Sequence, residues 1–204
     1  MQRTSYVRKT ATKVKSGKVQ KKNRTQFTAR NAYFIDRKSP AKGCRHVVTK
    51  KDVKLFIDII PGWDQLCDGI ELILLSPGSH DYDGLYEYFY REKTGIIQLA
   101  AWDKNLWKTV DDDYFDEHKH VFDLLGVAYE QHKKGWECRF TDNQARAFML
   151  LHVFVHELGH HLDRMRTRNQ FSMPGGEFFA EKYANKHLET LWPLYIQTFG
   201  DPRF

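Results

Sequence analysis

The chain is poor in cysteine: three in 204 residues, Cys44, Cys67 and Cys138, widely separated and without C-x-x-C spacing. This excludes a disulfide-stapled scaffold and a cysteine-held zinc site, and it fits reduced thiols in a cytoplasmic protein. Also missing is any apolar run of the ~20 residues that a membrane-spanning helix needs, and the start MQRTSYVRKTATKVKSGK has no apolar signal core. No membrane partner is expected. Acids are nearly missing from the first quarter of the chain. Residues 1–50 hold 15 Lys and Arg against Asp36 alone, a net of +14, whereas residues 51–204 hold 17 bases and 25 acids, a net of −8.

A basic leader of this kind can bind nucleic acid or an anionic surface, and it can equally be a solvated tail or dock on acidic surface. No zinc-finger, RNA-recognition or helix-turn-helix pattern accompanies it, so nucleic acid enters as a partner of residues 1–50 on charge alone. Residues 1–30, rich in Lys, Thr, Ser and Gln, have the composition of a flexible segment. Residues 31–204 carry most of the 14 Phe, 10 Tyr and 5 Trp and suit one domain with a packed core.

Within that domain AYFID (32–36) and RHVVT (45–49) read as short strands. TKKDVKLFIDII (49–60) reads as a helix, with Thr49 and Asp52 as a capping box and Val53, Phe56, Ile57 and Ile60 at helical spacing. GIELILL (69–75) is a continuous apolar strand, and LYEYFYR (85–91) with GIIQLAAW (95–102) predicts a hairpin. Asp111, Asp112 and Asp113 suit the N-terminus of a helix over about 114–125, because the helix dipole favours anions there, and calcium-loop spacing is absent. GWECRFT (135–141) predicts one more short strand.

From about residue 143 to 164 the pattern predicts one long helix, and its segment AFMLLHVFV is apolar on every face, hence buried. Four histidines sit in or just beyond that segment. Positions i and i+4 lie about 40° apart around the axis and ~6 Å along it, so His156 and His160 can converge on one ion. Glu157, offset by about 100°, is suited to hold a water on that ion as general base. Chance alone produces this H-E-x-x-H pattern in about one chain in forty of this composition. His152 drifts too far around the axis to join the same ion and is expected in the core or behind the ligands. His161 is expected at the surface.

A catalytic zinc needs three protein ligands and an open position. The extended metzincin pattern is excluded, because Asp163 and Arg166 stand where its Gly and third His would be. After the chain break SMPGG, a second helix starts near Glu177 and places Glu177, Ala180, Glu181, Ala184 and Leu188 on one face. Glu177 either completes the zinc site or is a dipole-favoured N-terminal carboxylate.

HELGH (156–160) with EFFAEKYA (177–184) resembles the two motifs of the gluzincin zinc metallopeptidases, with a Glu at 181 where those enzymes usually carry Asp. The resemblance implies one zinc per chain on His156, His160 and Glu177, Glu157 as general base, and Glu181 orienting a ligand histidine. It also implies an α+β, zincin-like domain: a small mixed or antiparallel sheet, a buried H-E-x-x-H helix and a following glutamate helix. Substrate would lie along a sheet edge, for which GIIQLAAW is the candidate. The expected activity is hydrolysis of peptide bonds in a peptide or protein substrate by a zinc-activated water, with Tyr183, His187 and Tyr195 as possible oxyanion donors. The alternative is a non-proteolytic zinc-site sensor or nucleic-acid-associated binding protein that uses the basic leader.

Overall fold

The computed structural model describes residues 33–78, 82–167 and 175–204, together with one short antiparallel pair, β1 (Val14–Lys15) and β2 (Lys18–Val19). The rest of residues 1–30, on which the expected leader falls, lies outside the described residues. By its contacts the chain divides into two units, Met1–Ala32 and Tyr33–Phe204. The second unit carries all the elements below.

Its architecture is α+β. β3 (Phe34–Arg37), β5 (Ile70–Ser76), β7 (Thr94–Ala100) and β6 (Gly84–Phe89) form a mixed sheet in the order β3-β5-β7-β6, parallel except for β6. The apolar continuity of β5 is that of an interior strand covered on both faces. Ile73 and Leu75 face the main core with Ile97 and Leu99, while Leu72 and Leu74 form a small cluster with Ile96 on the other face. Because successive side chains point to opposite faces, one unbroken apolar run serves both.

The hairpin forms as expected, but GIIQLAAW is not a sheet edge: β7 lies between β5 and β6, so the edge strands are β3 and, on the hairpin's side, β6. β4 (Cys44–Arg45) pairs with β8 (Trp102–Asp103), and Val47 and Val48 of the expected second strand lie in a bend, with Val48 buried in the core.

α1 (Lys50–Ile59) starts at the predicted capping box: the Thr49 side chain accepts from the Asp52 N–H at 3.1 Å, and Asp52 accepts from the Thr49 N–H at 2.7 Å. The short α2 (Trp63–Leu66) follows and leads into β5. α3 (Asp112–Leu125) is capped by Asp111, which accepts from the Tyr114 N–H at 2.8 Å, and ends on Gly126 at φ +70°, a left-handed turn that favours glycine. A three-stranded antiparallel sheet, β10-β11-β9, surrounds it in sequence: β9 (Trp107–Val110), β10 (Ala128–His132) and β11 (Gly135–Arg139).

The long buried helix is not uniform. α4 (Asp142–Phe148), capped by Thr141, passes into a π-helical stretch at Met149–Phe154 and then into α5 (Val155–Arg166). The wider winding resets the facing of everything after it, and such stretches concentrate at functional sites. Neither Gly nor Pro marks it, and all six of its residues are buried. α6 (Gly176–Phe199) packs against α5 and closes the domain. Among the described residues no helix is long and apolar enough to cross a membrane.

Candidate metal centre

α5 and α6 meet through small residues. A Cβ on Gly159 would stand 2.8 Å from the Ala180 Cα, so the helices approach to a distance only glycine permits. That approach brings the start of α6 over the His156–His160 face of α5. Asp163, buried on α5, fixes it there by accepting the N–H groups of Gly175 and Gly176, each at 3.1 Å, immediately before Glu177.

The result is a tight triangle. His156 Nε2 lies 3.1 Å from His160 Nε2 and 3.1 Å from Glu177 Oε2, and His160 Nε2 lies 3.3 Å from the same oxygen. The His156 Nδ1–H donates to Glu181 Oε2 at 3.1 Å, so its Nε2 carries a lone pair toward the triangle. Glu181 Oε1 accepts from Asn185 Nδ2 at 2.9 Å, and Asn185 is itself bonded to His120 at 2.6 Å.

This donor set fits a divalent metal. Three lone-pair atoms converge where hydrogen bonding alone lacks the protons to satisfy every pair. Their separations match the ~3.3 Å ligand spacing of a tetrahedral ion with bonds of ~2.0–2.1 Å. Two imidazoles and one carboxylate are a set that suits zinc.

Glu157, on α5 next to His156, reaches the same cleft, which measures about 520 Å³ and is lined also by Gly84, Tyr86, Glu117, His118 and His152. Glu157 is only 6% exposed, and burial pushes its pKa up to about 8, against the pull of His156 and a bond from the Tyr86 backbone. A divalent ion beside it would draw the group back toward its ionised form. The edge strand passes so close that a Cβ on Gly84 would overlap the Glu157 carboxylate. Burial also acts to raise Glu181, but the His156 bond and the neighbouring imidazoles outweigh it and hold the carboxyl at about 2.

His152 is buried, and burial lowers its pKa to about 3; its Nε2 lies 3.5 Å from Glu181 Oε2, behind the triangle. His161 corrects the expectation of a surface residue. It is 0% exposed, donates from Nε2 to the Asp68 carbonyl at 2.9 Å and accepts from the Tyr86 hydroxyl at 3.1 Å. The sheet edge and the turn before β5 cover that side of α5, which helical spacing alone does not reveal.

Of Tyr183, His187 and Tyr195, among which the sequence left the oxyanion donor open, none lines the cleft. Tyr195 is buried beside Phe56 and Phe199, and Tyr183 stacks on His187 along α6 outside the cleft wall. The cleft is walled instead by Tyr82, Asp83, Tyr114 and His118, none of which the motifs single out. Tyr114 donates to Asp83 at 2.8 Å, and the His118 Nδ1–H donates to the Tyr114 carbonyl at 2.8 Å. These residues come from α3 and the segment before β6, and no local pattern ties either to α5.

The chain matches no protein-family model, and comparison with curated proteins and with solved structures finds no match either.

Proposed function

We propose that the protein is a zinc-dependent metallopeptidase, a compact zincin-like relative of the gluzincins that cleaves within polypeptides in the cytoplasm and holds one zinc on His156, His160 and Glu177. The observation that carries this reading is the triangle of donor atoms at 3.1–3.3 Å with a buried carboxylate, Glu157, on the same cleft. Zinc held there supplies a Lewis acid for the scissile carbonyl and lowers the pKa of a water toward ~7.

The chain's own groups do the rest. Glu157, buried on the same cleft, accepts the proton of the attacking water and returns it to the leaving amine. Glu181 fixes the tautomer and ring plane of His156 through Nδ1. The free edge of β6, whose Gly84, Leu85 and Tyr86 line the cleft, offers backbone groups to an extended substrate strand.

Metal analysis with a peptide-library digest tests this. Wild type and Glu157→Gln should both hold about one zinc per chain, and only wild type should cleave; a zinc-free wild type, or full activity in Glu157→Gln, would sink the proposal.

The net +14 of residues 1–50 supports a second reading, a non-proteolytic zinc-site sensor or nucleic-acid-associated protein. It requires salt-dependent DNA or RNA affinity that disappears with the leader, and no cleavage of any peptide.

A further inference from the structure

The cleft holds a second group of donor atoms besides the His156–His160–Glu177 triangle. His118, His152 and Glu181 each offer one ligand atom, and these atoms lie within 4.8 Å of one another. They come from three elements: His118 from α3, His152 from the π-helical stretch and Glu181 from α6. All three residues line the cleft.

Each side chain is prepared to give a lone pair. His118, 8% exposed, donates its Nδ1–H to the Tyr114 carbonyl at 2.8 Å, so its Nε2 carries the lone pair. The same bond fixes the ring, which stacks on Tyr114 with centroids 4.0 Å apart. His152, 3% exposed, stacks on Phe148 and stands edge-on to the His118 ring at 4.6 Å. Burial disfavours the charged form of both rings and leaves them as neutral ligands. The third donor is a carboxylate without a fixed cation beside it: among the described residues the ion-pair partners of Glu181 are imidazoles alone, His152 and His156.

A separate observation points to an ion rather than to a hydrogen-bonded core cluster. His152 Nε2 stands 3.5 Å from Glu181 Oε2, beyond the ~2.7–3.2 Å of an N–H···O bond. Polar groups this deeply buried are normally hydrogen-bonded. The separation is instead close to the ~3.3 Å between two ligands of a tetrahedral ion with bonds of ~2.0–2.1 Å.

We propose that His118, His152 and Glu181 form a second divalent-cation site, of the zinc class by its two imidazoles and one carboxylate, which bridges α3, the π-helical stretch and α6. It shares no ligand with the first centre and requires no peptidase activity. It is the weaker of the two. Donors within 4.8 Å of one another have farther to close on an ion than those of the triangle at 3.1–3.3 Å, and Glu181 Oε2 is shared with the His156 Nδ1–H. An ion that bridges three elements binds the folded chain alone and so stabilises it.

The test uses the full chain with zinc as the probe. Equilibrium dialysis counts zinc per chain, first against a weak chelator and then at rising free zinc, and thermal melting follows the fold at each step. Wild type should keep about one zinc against the chelator and reach about two at higher zinc. His118→Gln should stop at about one, since glutamine can still donate to the Tyr114 carbonyl but offers the ion no imidazole. His152→Gln takes its place if His118→Gln does not melt cooperatively. Glu177→Ala should hold none against the chelator and about one at higher zinc, with a rise in melting temperature that Glu177→Ala/His118→Gln lacks.

A wild type that binds no zinc, or that stops at the one resisting the chelator, overturns the site, as does a second zinc that survives both histidine variants. Zinc that wild type holds only at the higher concentration, and that His118→Gln removes while Glu177→Ala does not, upholds this site and rejects the centre on His156, His160 and Glu177 instead.

Discussion

Gly159 on α5 and Ala180 on α6 are in backbone contact: a Cβ added to Gly159 would meet the Ala180 Cα at 2.8 Å and its carbonyl oxygen at 3.1 Å. The triangle of donor atoms depends on that contact, because two of its corners belong to α5 and the third to α6. Gly159→Ala should therefore push the helices apart, destabilise the fold by about 1–3 kcal/mol and weaken metal binding together. Thermal melting with and without added zinc checks this, and an unchanged zinc affinity would show that Glu177 reaches the site without the close crossing.

The three proposed ligands should be separable from the proposed base. His156→Ala, His160→Ala and Glu177→Ala should each lose the metal, whereas Glu157→Gln keeps it. Elemental analysis after dialysis against a weak chelator decides. Full zinc occupancy in Glu177→Ala would transfer the third position to another carboxylate, with Glu181 the first to examine.

Asp163 should matter to metal affinity without touching the metal. Its Oδ2 holds the N–H groups of Gly175 and Gly176, which set the start of α6 and hence Glu177. Asp163→Ala should weaken zinc binding by about 10–100-fold, and Asp163→Asn, which keeps an acceptor oxygen, should restore most of it. Competition titration against a zinc indicator measures both, and an alanine variant of wild-type affinity would reduce Asp163 to an ordinary buried carboxylate.

His161 should make the fold acid-sensitive. Burial holds its folded pKa down at about 4, against ~6.5 in the unfolded chain. Above pH 6.5 the ring is neutral in both states and no stability is at stake. As pH falls from 6.5 toward 4 the unfolded state takes up a proton that the native state refuses, and up to about 3 kcal/mol of stability is lost. Urea unfolding of metal-free wild type and His161→Gln across this range should show a shallower loss in the variant, and parallel curves would exclude the effect.

The cysteines should be inert in the native state. Cys44, Cys67 and Cys138 are free and buried, and burial raises the Cys67 thiol and pushes Cys138 up to about 11. A thiol reagent at pH 8 should label none of them quickly and all three after unfolding.

Much of the site was legible because it is local. An i, i+4 pair on a helix faces one way whatever surrounds it, so H-E-x-x-H fixes the relation of His156 to His160. Capping boxes and helix N-caps are equally local, and Thr49 with Asp52 and Asp111 with Tyr114 pair as their spacing requires. Glu177 was a weaker inference, since its helix face could be read but not what that face meets.

Other expectations failed where the outcome depended on distant segments. GIIQLAAW has the apolar pattern of a strand, but its place between β5 and β6 follows from pairing partners that its own residues do not encode. His161 and His160 are adjacent in sequence, and only the approach of β6 and Asp68 buries one as firmly as α6 covers the other. Tyr183 and Tyr195, left open as oxyanion donors, do not line the cleft, while Tyr114 and His118 reach it from α3.

The sequence by itself determined the donor types, their spacing on α5 and the charge split along the chain, because these are set by covalent order and helix pitch. Only the tertiary structure decided that Glu177 Oε2 closes the triangle and that β6, not β7, is the edge strand beside the cleft. Those are contacts between elements far apart in the chain, fixed by how closely Gly159 lets α6 approach and by which strands pair, and no local pattern carries that information.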